Sequence, residues 1–210
     1  MSTPPSRAAH PHVTSLFLPD VEARPQAGVY QAVIDTAKAR DGEYPKIWDL
    51  FAFQQDFTRH LARFTQGVLR TPSTISPAFR ELIAAYTSFQ NECRFCTAAH
   101  AAAASELLGD ETLVDTVLHD LEHSRLADSE KVLLRFVGTL TTNVAAIQAE
   151  DIAVVRAAGW DDEAIYYAVT TCALFNFYNR WITGTGVPEM SAEAHRQQGK
   201  ALASRGYVRE

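Results

Sequence analysis

Cysteine is scarce in this chain, three residues in 210, which is too few for the disulfide framework of a small secreted domain. An apolar leader is missing as well: the opening Met1-Ser2-Thr3-Pro4-Pro5-Ser6-Arg7 has no hydrophobic region of secretory type. No run approaches the roughly 20 apolar residues of a membrane span. Positive charge is in deficit, 19 Lys and Arg against 25 Asp and Glu for a formal net charge of −6. That balance argues against a nucleic-acid partner, and no basic amphipathic stretch points to a membrane surface. No segment alternates convincingly at period two, so strands are not expected. These absences leave a cytoplasmic, all-α protein with a single reduced thiol pair as the simplest reading.

What is present supports one sizeable core, with 47% hydrophobic residues in a chain of single-domain length. The densest chemistry lies in residues 76–109. Ser76-Pro77 is a helix start, since Ser caps free backbone N–H groups and Pro suits the first helical position. Leu82, Ile83, Tyr86 and Phe89 then share one face at helical spacing. An alanine-rich second helix is predicted from Cys93 to Leu108, stopped by Gly109. If the chain turns at Gln90-Asn91-Glu92, the two helices form an antiparallel hairpin. Glu81, about ten residues before the turn, then stands level with His100, about nine after it. Cys93 and Cys96 are neighbours at i, i+3, and Cys96 and His100 at i, i+4.

The pattern Glu81-(x)11-Cys93-x-x-Cys96-x-x-x-His100 resembles the core of the AhpD-like (alkylhydroperoxidase D-like, carboxymuconolactone decarboxylase) superfamily, and especially its peroxidase-related branch. Ala173-Leu174-Phe175-Asn176-Phe177-Tyr178-Asn179-Arg180 looks like that branch too, and the resemblance covers about residues 40–190. It implies an all-α AhpD-like fold with a CxxC hairpin and a two-fold internal repeat, and a thiol-dependent hydroperoxide reductase or thiol–disulfide oxidoreductase. It also implies a homo-oligomer, trimer or hexamer, for which aromatics of residues 44–64 could form an interface.

Two physical cues disagree on the nucleophile: Cys93 is nearer the helix N-terminus, whereas Cys96 is paired with His100. The resemblance assigns Cys96 as the attacking thiol and Cys93 as the resolving one, with His100 as base and Glu81 as its orienting carboxylate. The implied cofactor is none beyond the redox-active Cys93–Cys96 pair, recycled by an external dithiol reductant. The best-studied AhpD type carries a further His just before the second Cys, where this chain has Phe95. That departure implies a slower relay or a different acceptor.

Elsewhere, residues 1–24 read as an irregular arm that could lie on a neighbouring subunit, followed by a first amphipathic helix over 29–37 that ends near Asp41-Gly42. One long helix is expected from Pro45 to Arg70, with Phe57, Leu61, Phe64 and Val68 on its apolar face. Trp48, Phe53 and Phe57 are candidates for a substrate cavity, with ordinary core packing as the alternative. Residues 110–127 form a polar connection holding a short helix; His119 and His123 have metal-compatible spacing but lie in a strongly polar, solvated stretch. Asp128 is expected to cap a helix over 129–140. Helices follow over 149–158 and 162–184, the latter bending near Asn176, and a polar C-terminal helix or tail occupies 191–210. Asn176, Asn179 and Arg180 either polarise the cavity or cap the bend. The rival readings are a carboxymuconolactone decarboxylase-like enzyme acting on a small lactone and a zinc-stapled module using Cys93, Cys96 and His100, for which no fourth ligand is close in sequence. Cys172 reads as core, and Glu81 could merely pair with Arg80 on a surface.

Overall fold

The computed structural model describes residues 14–40 and 42–209. Expectations for residues 1–13, including their histidines, and for Asp41 lie outside that range. Residues 14–18 run beside the far end of the chain's own core, where the Phe17 N–H donates to Thr185 O at 2.9 Å. The segment expected to be irregular contains a short helix, α1 (Pro19–Ala23), started by its proline. Then come α2 (Val29–Lys38), α3 (Ile47–Phe53), α4 (Gln55–Arg70), α5 (Pro77–Gln90) and α6 (Arg94–Leu108). After these lie α7 (Glu111–His119), α8 (Asp128–Thr142), α9 (Ala149–Ala157), α10 (Asp162–Thr185) and α11 (Ala192–Arg205). No described residue forms a strand, and the fold is all-α.

The single helix expected over 45–70 is two helices. Gln54 leaves helical geometry at φ −140°, ψ 65°, because Gln26 takes the backbone groups there: Gln55 N–H donates to Gln26 Oε1, and Gln26 N–H to Ala52 O, each at 2.8 Å. The break resets the buried face of α4 to Thr58, Ala62, Thr65, Val68 and Leu69. Phe57 and Phe64 consequently face outward, 58% and 53% exposed. Asp128 is the first helical residue of α8 rather than its cap. The cap position is Ala127, whose N–H donates to Glu130 Oε2 at 2.9 Å. Helix α10 runs uninterrupted through Asn176, so there is no break for that residue to cap.

Helix α5 is the axis of the molecule. Its start is fixed by Ser76, whose hydroxyl accepts the Phe79 N–H at 3.1 Å. Every residue from Phe79 to Ser88 is buried. One side, with Leu82, Ile83 and Ala85, packs into a core with Leu133, Val137 and Ile165 of α8 and α10. Ala84, on another side, joins a second core with Phe51, Leu69, Phe175 and Tyr178. Arg80 is fully buried and does not pair with Glu81. Its guanidinium donates to Val68 O at 2.8 Å and Thr71 O at 2.7 Å, placing positive charge at the negative end of α4.

The alanines of α6 let two neighbours approach it closely, α5 on one side and α11 on another. At the α11 crossing a Cβ on Gly199 would stand 2.6 Å from Ala102 Cβ and 2.7 Å from its carbonyl carbon. Backbone cannot yield as a side-chain tip can. Gly199→Ala is therefore expected to lower unfolding free energy by about 1–3 kcal/mol, the usual range for overpacking. A denaturant midpoint equal to that of the parent would show the crossing to be looser than described.

Candidate active site

Helices α5 and α6 are joined at Asn91 and Glu92, the latter in left-handed geometry at φ 55°. The turn is held from outside by α10: Asn91 Nδ2 donates to Asn179 Oδ1 at 2.9 Å and Asn176 Oδ1 at 3.1 Å, and Asn179 Nδ2 donates to Ser88 Oγ at 2.9 Å. Asn176 thus acts as a clasp on the turn and does not line the cavity. Glu81 on α5 and His100 on α6 face each other, with His100 Nδ1 and Glu81 Oε2 2.7 Å apart.

Glu81 is completely buried and receives three different donors. Besides His100, Arg70 Nη2 donates to Oε1 at 2.6 Å and the Tyr207 hydroxyl to the same oxygen at 2.5 Å. Burial by itself would raise the Glu81 carboxyl, but the His100 hydrogen bond and charge, with Arg70 and Tyr207, outweigh it and hold it below the usual carboxylate range. An ionised carboxylate only accepts, so His100 Nδ1 is the donor in this contact, and the imidazole tautomer that keeps this bond leaves the Nε2 lone pair free. Tyr207 is pushed well above the ordinary phenol value by burial and by the Glu81 charge, and stays a donor.

Both thiols are buried at the start of α6. Cys93 is the N-cap residue and Cys96 lies in the first turn. The hydrogen bond from Cys96 is the largest influence on Cys93. Burial opposes it, while the Cys96 backbone N–H, Thr183 and Asn179 assist, and Cys93 is lowered to about 6. Burial and then the bond to Cys93 raise Cys96 well above the usual thiol value. Physically, one proton is shared between two sulfurs and rests on Cys96, whose burial disfavours its thiolate. The thiolate fraction should therefore grow with rising pH through about 6. Absorbance near 240 nm in the reduced protein, referenced to a double Cys93→Ser/Cys96→Ser variant, should show that step. A first step near the ordinary thiol value of about 8.5 would contradict the sharing.

Cys96 and His100 line one cavity, about 680 Å³ of empty space including its mouth, walled by Trp48, Phe95, Phe175, Tyr178 and Ile182. Of the aromatic candidates read from sequence, Trp48 and Phe95 are on this wall. Phe53 and Phe57 are not: the helix break at Gln54 turns Phe57 to the outside, and the Phe53 ring lies near Arg24. At the position just before Cys96, the Phe95 ring meets His195 edge-on at 5.6 Å, and burial holds His195 below the usual histidine value. Among the described residues no group of three His, Cys, Asp or Glu side chains is placed to hold a metal ion. His119 and His123 each sit beside a nearby acid, Asp115 and Asp120, at the surface.

The sequence reading missed Arg70 and Tyr207. No spacing rule connects them to Glu81, since Tyr207 is 126 positions away, and both stood in stretches read as a helix end and a polar tail. Gly206, at φ 70°, turns the chain after α11 so that Tyr207 reaches Glu81. The Tyr207 N–H is fixed by Gln66 Oε1 at 2.8 Å.

Residues 55–136 match the family model described as the carboxymuconolactone decarboxylase family. No curated protein matches. Among solved structures, an uncharacterised peroxidase-related protein from Silicibacter sp. TM1040 is 27% identical with a TM-score of 0.69, covering 80% of this chain and 87% of that one. An uncharacterised peroxidase-related protein from Ralstonia eutropha JMP134, described as an alkylhydroperoxidase AhpD core, shares the fold at 19% identity and a TM-score of 0.71. It covers 90% of this chain and 98% of its own. A protein of unknown function from Agrobacterium tumefaciens, provisionally assigned to antioxidant defence as AhpD, gives 21% identity and a TM-score of 0.55 over 64% of this chain and 91% of that one.

Proposed function

We propose that this chain, a member of the AhpD-like, carboxymuconolactone decarboxylase superfamily, is a thiol peroxidase that reduces an organic hydroperoxide at Cys96 and closes a Cys93–Cys96 disulfide. The observation that carries the reading is that His100, paired with the buried Glu81 at 2.7 Å, lines the same cavity as Cys96. As the peroxide meets Cys96, its proton passes through water to His100 Nε2, and the developing thiolate attacks the distal oxygen. The O–O bond breaks, the sulfur is oxidised to sulfenic acid, and the leaving alkoxide takes the proton from His100 to give an alcohol. The Cys93 thiolate then attacks the sulfenic sulfur and displaces hydroxide, which takes from solvent the proton that Cys93 released on ionising and becomes water. One hydroperoxide and two thiols thus yield one alcohol, one water and one disulfide.

The Cys96 proton makes that sulfur the better nucleophile once removed, because intrinsic nucleophilicity rises with thiol pKa. The low-pKa Cys93 suits the second step, where an existing thiolate is needed. An external dithiol reductant would reopen the disulfide, and assembly as a homo-oligomer is part of the same reading. A decarboxylase acting on a small lactone would have no use for the dithiol. Reduced protein treated with one equivalent of cumene hydroperoxide should lose two free thiols and two mass units, with cumyl alcohol formed in equal amount. Unchanged thiols would refute the assignment.

A further inference from the structure

The cavity in front of Cys96 shares Tyr30 and Arg209 with a second, more polar bay between α2, α4 and residues 208–209. The two compartments differ in kind. The first is walled by groups such as Tyr30, Trp48, Phe51, Phe95, Phe175 and Leu202. The second gathers Arg59, Arg63 and Arg209 against one lining carboxylate, Asp56. In a chain of net charge −6, such a local excess of positive charge is unexpected.

Arg59 and Arg63 stand at i, i+4 on α4, a spacing at which like charges repel unless an anion comes between them. Neither they nor Arg209 takes part in an ion pair among the described residues, whose arginine pairs are formed elsewhere. Arg209 is held at the boundary by Trp48, its Cζ 5.4 Å from the ring centroid, so a cation is fixed beside an apolar wall. Guanidinium forks match the paired oxygens of carboxylates and phosphates and are weakly hydrated, which suits a half-buried position.

We propose that the bay binds the anionic end, a carboxylate or phosphate monoester, of an amphipathic substrate whose apolar body fills the cavity at Cys96. The substrate class is then a hydroperoxide of an acidic lipid-like or arylalkyl compound. That last step rests on the thiol peroxidase reading, whereas recognition of an apolar chain with an anionic head rests on the bay and cavity alone.

The test is a titration of the full-length reduced protein, followed by tryptophan fluorescence, with dodecanoate, dodecyl phosphate and dodecanol. Trp48 lines the cavity and its ring lies against Arg209, which borders both compartments, so it should report binding. At least one anion should bind about tenfold or more tightly than the alcohol, as one well-formed charge-assisted interaction would give. The better anion identifies the headgroup. Arg209→Gln should erase the preference, Arg209→Lys should keep part of it, and Arg59→Gln with Arg63→Gln should weaken it. Equal binding of all three ligands, or a preference surviving the triple Gln substitution, would overturn the proposal. A companion assay compares linoleic acid 13-hydroperoxide with its methyl ester and with cumene hydroperoxide. Thiol oxidation by all three at equal rates sinks the anion site and leaves the peroxidase reading. Anion-selective binding with no thiol oxidation by any of them does the reverse.

Discussion

Cys96→Ser is expected to abolish hydroperoxide turnover, a loss on the order of 10³-fold or more, because the replacing hydroxyl stays protonated and cannot open an O–O bond. The contrast with Cys93→Ser carries the information. If Cys96 attacks, Cys93→Ser should still react once and leave a sulfenic acid at Cys96 that dimedone traps, with no second thiol to close the cycle. The electrostatics of the pair make this contrast sharp. The resting thiolate sits on Cys93, lowered to about 6, while Cys96 lines the cavity. An attack governed by charge alone would put the trapped adduct on Cys93 in the Cys96→Ser protein, and peptide mapping of that adduct would reverse the assignment.

The second large effect is expected from Glu81→Gln, which changes charge with almost no change in volume. The variant leaves Arg70 without its buried counter-charge, and breaking such a pair costs about 3–5 kcal/mol. That is a large share of the roughly 5–15 kcal/mol that holds a domain folded. The rate should fall by about 10²–10⁴ as well, because the amide no longer fixes the His100 tautomer or steadies the imidazolium. The pH dependence separates the two roles. Glu81 in the folded protein is held below its unfolded value, so its contribution to stability is fully present above about pH 4.3 and is lost as pH falls through the lower folded value. Urea midpoints of the parent should therefore decline below about pH 4 more steeply than those of Glu81→Gln. Equal slopes would mean that the carboxylate is not the ionised, triply bonded group described above. Tyr207→Phe removes one donor and should cost only about 1 kcal/mol, leaving a folded protein in which the relay can be assayed.

The parts of this arrangement that lie close in sequence were legible there. The i, i+3 and i, i+4 spacing of Cys93, Cys96 and His100 follows from helical periodicity, and the polar turn at residues 90–92 matches the observed ends of α5 and α6. Ser76 is the cap of α5 in the structure, as its residue type suggests. What escaped depends on contacts between distant segments. The division of 45–70 is imposed by Gln26, a residue in a connection with no periodic signal, and the face presented by Phe57 follows from that one intrusion. Arg70 and Tyr207 meet Glu81 only because α4 ends, and the chain past α11 returns, at the same level of α5. Sequence alone offers Asn176 only cavity or capping roles, because its partner Asn91 lies 85 positions earlier, in the hairpin turn.

The enclosure of α5 has a consequence for how the molecule breathes. With Phe79 to Ser88 shielded on every side, the amides of this segment have no shallow route to deuterium, and their exchange must await opening of the entire fold. Glu81 therefore rides on a segment expected to exchange only with global opening. Tyr207, its partner, lies past the end of α11, where local opening of a chain end would unseat the phenol while the carboxylate keeps its place.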